Sequence, residues 1–303
     1  MPKSRKRQSR LMRKIRGTSG DPRKRSPERI PEQVLLASAI LQKAAAVKLS
    51  GPLPFAALPP LAQHTIRSRF QEALPPERCV DDCLVLAHAY AELGIEAQVR
   101  VAELTVTDVT TSARTAHGTA GAHWEDGVFS GHTVVWLPAH RHLIDPAAEQ
   151  FKEIAVYKAG PVIAAAGPAR ADGTGADEDE VKVTVARGYL RLGYVLGSRA
   201  ASAEALDHPS VRAEWDANRR RGVNVASEVV WLLANERTPT DTAVIPYPRA
   251  AALIDGARRV DRHGSLGEDF FFRQRGADPS QARPIRLHEI PLPSGTPAPA
   301  AVS

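Results

Sequence analysis

Cysteine is nearly missing from this sequence: Cys79 and Cys83 are the only two in 303 residues. Two thiols in so long a chain cannot build a disulfide framework. Residues 1–30 contain no apolar run that could serve as the core of a secretory leader. Nowhere does an apolar stretch approach the roughly 18 residues of a membrane span. The expected setting is therefore a reducing, cytoplasmic one without membrane contact, where both thiols stay free for chemistry. No internal repeat with a solenoid-like period is present.

Acidic residues are also scarce at one end. Residues 1–30 carry 12 of the 40 Lys and Arg against only Asp21 and Glu28, a charge of +10, so the other 273 residues sum to −4 within the total of +6. The basic character belongs to a tail punctuated by Gly, Ser and Pro, a composition that reads as disordered. Such a tail can hold nucleic acid or another acidic partner weakly through charge, or simply remain solvated.

With 43% apolar residues, the rest is expected to bury a sizeable core. Residues 31–49 and 61–73 have helical periodicity, the second stretch stopping before Pro75 and Pro76. The run from Arg78 to Leu93 reads as a third helix, apolar on more than one side, hence central, and closed by Gly94. From Ala97 the period changes to two, announcing a strand. Residues 109–130, rich in Thr, Ala, Gly and His, read mainly as a loop. HTVVWLP (132–138) and HLIDP (142–146) follow as strands, and FKEIAVYKAGPVIAA (151–165) as a more apolar continuation. An acidic flexible insertion is expected at 167–180, one or two strands at 181–196, helices over 200–236, and a Pro-rich tail at 281–303. Helices first, a cysteine-bearing helix, then an antiparallel sheet make the expected class α+β, a single domain spanning 31–280.

Four readings of the thiol pair compete. As zinc ligands they would need partners such as His88, His117 or His123, yet no CxxC or HExxH spacing is present. A disulfide is disfavoured, because helical i,i+4 Cβ atoms lie about 5–6 Å apart whereas the bond wants about 3.5–4.5 Å. Cys83, beside Leu84 and Ala87, suits a small buried hydrophobe. Cys79, close after two prolines that force a helix start, suits a nucleophile: free N–H groups and the positive end of the helix dipole favour its thiolate. Asp81 and Asp82 in the first turn work against that, so a histidine base is required.

His132 follows Gly131 at the start of a strand, and the next strand carries Asp145. The short turn between them would pair the strands antiparallel and set His132 and Asp145 side by side. At this point the sequence resembles the transglutaminase-like branch of the papain-like thiol enzymes. Cys79, Asp81 and Leu93-Gly94-Ile95 match the family's helix, GHTVVWL its histidine strand and LIDP its carboxylate strand, over roughly residues 60–165. The resemblance implies a papain-like fold with a central cysteine helix on an antiparallel sheet and extra C-terminal helices. It also implies a Cys79-His132-Asp145 triad, an acyl-cysteine intermediate on an amide, ester or thioester substrate, and no cofactor or metal. Val80 and Val134 stand where crosslinking members usually carry Trp and an aromatic, which points to hydrolysis or amide cleavage at least as much as to crosslinking.

Outside this set, Gln71 reads as an exposed helix residue, and His117, His123 and Trp124 as either a solvated loop or a cleft border with Trp124 as a substrate platform. Arg219-Arg220-Arg221 reads as cations at a helix C-terminus rather than a phosphate site. The rival functional reading is a nucleic-acid or partner-binding protein whose core is a scaffold without turnover.

Overall fold

The computed structural model describes residues 79–119, 121–157, 161–167, 181–235, 242–262, 270–276, 278 and 283–303. The basic tail, the two helices expected over 31–73, Gln71 and most of the acidic insertion lie outside these residues.

Helix α1 (Cys79–Glu92) is buried along its whole length except at Asp81. Its end is set by Gly94 at φ +75: the Gly94 N–H donates to Ala91 O at 2.9 Å and the Ile95 N–H to Tyr90 O at 3.0 Å. This double closure of the last carbonyls needs a left-handed residue, which glycine adopts without strain. The chain then enters β1 (Gln98–Asp108). Instead of the expected loop over 109–130, there follow a short strand, β2 (Arg114–His117), and a hairpin of β3 (His123–Glu125) and β4 (Val128–Ser130). Period-two alternation fails there because β2 is exposed on both faces, so no apolar pattern marks it.

Next come β5 (Thr133–Leu137), β6 (His142–Asp145), a one-turn helix α2 (Lys152–Ala155), β7 (Val162–Ala165), β8 (Lys182–Arg187) and β9 (Leu190–Leu196). The main sheet is antiparallel in the order β7-β6-β5-β1-β9-β8, with β2 added alongside β1. Its end strands β7 and β8 approach each other, so the sheet curls nearly closed. Helices α3 (Arg199–Leu206), α4 (Pro209–Ala234) and α5 (Pro248–Ala257) and a small pair, β10 (Val260–Arg262) and β11 (Phe272–Gln274), complete the α+β architecture. No described helix is long and apolar enough to cross a membrane.

Two cores result from the alternation along the strands. Val99, Val101, Val135, Leu137 and Ile144 face α1 and pack with Leu84, Leu86 and Tyr90. Ala102, Leu104, Val106, Val134, Trp136, Leu143, Leu192 and Tyr194 face into the curl. Because both faces are covered there, even Gln98 and Arg100 at the start of β1 are buried: Arg100 donates to Gly197 O and to Gln98 Oε1. Pairing of this kind is what allows a guanidinium in a core.

The Pro-rich C-terminal segment lies against the fold. Arg249 of α5 donates to Glu92 O at 2.7 Å and to Pro297 O at 3.0 Å. Ala300 N–H donates to Ala91 O, and Val99 N–H to Ser303 O.

Candidate active site

Cys79 lies at the first described turn of α1, and His132 immediately precedes β5. Both are buried, at 3% and 0% exposure. Cys79 stands near enough to the imidazole to help raise its pKa. His132 Nε2 stands 2.8 Å from Asp145 Oδ2. The structure thus brings Cys79, His132 and Asp145 together.

The strand register makes this contact diagonal. β5 and β6 pair Val135 with Ile144 and Trp136 with Leu143, and continuing by one residue sets Asp145 opposite Val134. His132 is two positions further along, so it shares the face of Val134 and reaches the carboxylate obliquely.

Asp145 is fully buried and saturated with donors. Besides His132, it accepts from the Tyr194 hydroxyl at 3.0 Å on Oδ2 and from the Ala147 N–H at 3.0 Å on Oδ1. Burial alone would push the His132 imidazole down, and it is the largest single influence. The charge and hydrogen bond of Asp145, joined by Cys79, outweigh it and raise the ring to about 10. The shift favours the charged form of the ring. Cys83, one turn along α1, is pushed well up by burial and by the charge of Cys79, and packs as an inert thiol. Both cysteines are free.

Two further residues shape the site. The Gln150 carboxamide nitrogen lies 3.1 Å from His132 Nδ1, and Phe151 meets the His132 ring edge-on at 5.1 Å. Behind Phe151, His117 stacks at 4.0 Å. The turn before α2 thus covers the imidazole. Tyr194 carried a readable signal, being the one polar-tipped residue among the inward positions Leu190, Leu192 and Leu196 of β9. Gln150 carried none, because it sits in a short irregular turn with no periodicity.

Gly118, at φ +72, makes the close approach that seats His132. A Cβ there would meet Ala102 O at 2.7 Å and the His132 Cβ and N at 2.8 Å. Asp81 accepts from Asn218 Nδ2 at 2.7 Å and ties α4 to α1.

Trp124 is not an open platform. Its indole N–H donates to Ala205 O at 2.8 Å and its ring stacks on His208 at 4.2 Å, anchoring the β3-β4 hairpin to the end of α3. His123 is exposed on that hairpin, and His88 packs edge-on against Trp215 of α4. Among the described residues no three His, Cys, Asp or Glu side chains gather as metal ligands. The arginine triplet 219–221 lies in the middle of α4 rather than at a helix C-terminus, since the helix runs on to Ala234.

No family model, curated protein or solved structure matches the chain.

Proposed function

We propose that this chain is a thiol enzyme of the transglutaminase-like, papain-like type, which cleaves or transfers an acyl group from an amide, ester or thioester. The observation that carries the reading is the buried group Cys79, His132 and Asp145, with His132 Nε2 2.8 Å from Asp145 Oδ2. A buried helix bearing the thiol at its described start, packed on an antiparallel sheet with His132 just ahead of one strand and Asp145 at the end of its neighbour, supports the family assignment.

An imidazolium beside a thiol favours the thiolate. Cys79 Sγ attacks the carbonyl carbon, forming a C–S bond and placing the carbonyl electron pair on oxygen. As that pair returns, the bond to the leaving amine, alkoxide or thiolate breaks, and His132 Nδ1 gives it a proton. In the second half the now neutral imidazole takes a proton from water or an acceptor amine. That nucleophile attacks the acyl carbon, and Cys79 Sγ departs with its electron pair. Asp145 holds the ring by accepting from Nε2–H and stabilises its charge throughout.

The test uses the full chain with p-nitrophenyl acetate, followed by peptide mass spectrometry. The expected result is an acetyl adduct on Cys79 that is retained in Cys83→Ala and lost in Cys79→Ala and His132→Ala. Acetylation of Cys83 instead, or Cys79 acetylation indifferent to His132, would overturn the proposal.

A further inference from the structure

Far from the thiol, a cavity of about 240 Å³ opens between α4 and the C-terminal segment. Its wall includes Glu92, the last residue of α1, which the helical rise of 1.5 Å per residue sets about 20 Å from Cys79 along the axis. The site is therefore separate from the candidate triad and does not depend on the thiol reading.

The arrangement of charge in this cavity is unusual. Arg219 and Arg220 reach it from the middle of α4, and Arg286 reaches it from the opposite wall. None of the three makes an ion pair within the described residues. Arg221, their sequence neighbour, behaves differently: it turns away and is bonded to Asn218 and Glu214. Of the two carboxylates in the wall, Glu92 is already engaged by Arg249 at 3.8 Å. Three guanidiniums thus share the wall with two carboxylates, one of them already claimed by Arg249, so positive charge is in excess among the lining residues. Converging guanidiniums repel one another, and such a cluster is most stable with an oxyanion between its forks. Arg286 lies over the ring of Phe271 at 5.7 Å, so one fork is held in place by the aromatic face beneath it.

We infer that this cavity binds a small phosphate ester, its dianionic phosphate held by Arg219, Arg220 and Arg286. Three forks brought from two walls suit the three terminal oxygens of a phosphomonoester better than the two of a carboxylate. The cavity is smaller than the roughly 300–1,000 Å³ of pockets that enclose drug-sized ligands, which restricts the ligand to a compact one.

Calorimetric titration of the full chain with O-phosphoserine, inorganic phosphate and succinate tests this. The double variant R219Q/R220Q keeps the basic N-terminal tail intact, so phosphate held by the tail survives in it. Binding of phosphate and phosphoserine should weaken at least about tenfold in the variant, as expected for losing charge-assisted hydrogen bonds, with the melting temperature retained. Arg286→Lys, which keeps the charge but loses the fork, should weaken both as well. Equal binding by variant and parent, equal binding of succinate, or no phosphate binding at all would overturn the inference. Both arginines are exposed, and if the double variant nevertheless fails to fold, Arg286→Lys decides alone.

Discussion

His132 Nε2 lies 2.8 Å from Asp145 Oδ2 with neither side chain exposed to solvent. An isolated buried pair of this kind would cost more in lost hydration than it returns. Here the carboxylate also receives the Tyr194 hydroxyl and the Ala147 N–H, so every charge in the row is matched by a donor or a counter-charge.

Asp145→Asn tests that balance. An amide offers one oxygen where the carboxylate offered two, so it must either lose the His132 and Tyr194 bonds or turn an NH2 toward the Ala147 N–H. A loss of about 1–3 kcal/mol in stability is expected, the usual penalty for an unsatisfied buried group. Without the Asp145 charge, burial dominates and the His132 pKa falls from about 10 to below its ordinary 6.5. NMR titration of the ring checks this: an imidazolium persisting in the variant would remove Asp145 from the proposed triad.

Two histidines predict opposite pH limbs of stability. His132 is raised in the fold, so its contribution is complete below about pH 6.5 and is lost as pH climbs through about 10. His88 is lowered to about 4, first by burial and then by the charge of Arg219. Its contribution is present above pH 6.5 and is lost as pH falls through about 4. In melting curves across this range, His132→Gln should flatten the alkaline limb and His88→Gln the acid limb. An unchanged alkaline slope in His132→Gln would show that the imidazole is not held as a cation.

How far the sequence announced these features depends on the physical signal each one leaves. The α1 helix, its glycine stop and the HTVVWL/HLID hairpin were legible, because long apolar runs and turn residues dominate their local energetics. β2 was not legible, since an exposed four-residue strand depends on its neighbour's hydrogen bonds rather than on its own pattern. The Arg219–Arg221 triplet reads as cations at a helix C-terminus, whereas packing carries α4 past Gly222 to Ala234. A Cβ at Gly222 would meet the His88 Cβ at 2.5 Å and Val85 O at 2.7 Å. Gly222 is thus a close-approach residue between helices, information that belongs to tertiary structure alone. Tyr194 shows the middle case: alternation placed it inward, but only the fold reveals that its hydroxyl meets Asp145.

Gly118→Ala should disturb the site from outside its chemistry. A Cβ 2.8 Å from His132 Cβ and 2.7 Å from Ala102 O forces a shift, and the left-handed backbone adds about 1–2 kcal/mol. Overpacking adds about 1–3 kcal/mol more. Gly127→Ala is the control, because φ there is +77 but nothing lies within 4 Å of the new Cβ. Only the backbone cost should appear in its urea midpoint, with the rate of Cys79 alkylation by iodoacetamide unchanged. Equal destabilisation by the two substitutions would mean that Gly118 does not seat His132.

Gln150→Ala separates ring positioning from thiol activation. The carboxamide lies 3.1 Å from His132 Nδ1, the nitrogen left over once Nε2 is committed to Asp145. A charged imidazole donates from both nitrogens and so faces the amide oxygen, whereas a neutral one accepts from the amide N–H. In the proposed mechanism Cys79 depends on that same nitrogen, so the amide competes with it in either state. Removing the amide frees Nδ1 and takes away part of the turn that covers the ring, so alkylation of Cys79 by iodoacetamide should quicken. Asp145 still fixes the ring through Nε2, so the His132 pKa should stay near 10. A slower reaction together with a displaced His132 titration would instead make Gln150 a positioning residue that the imidazole needs, and the competition for Nδ1 would have to be abandoned.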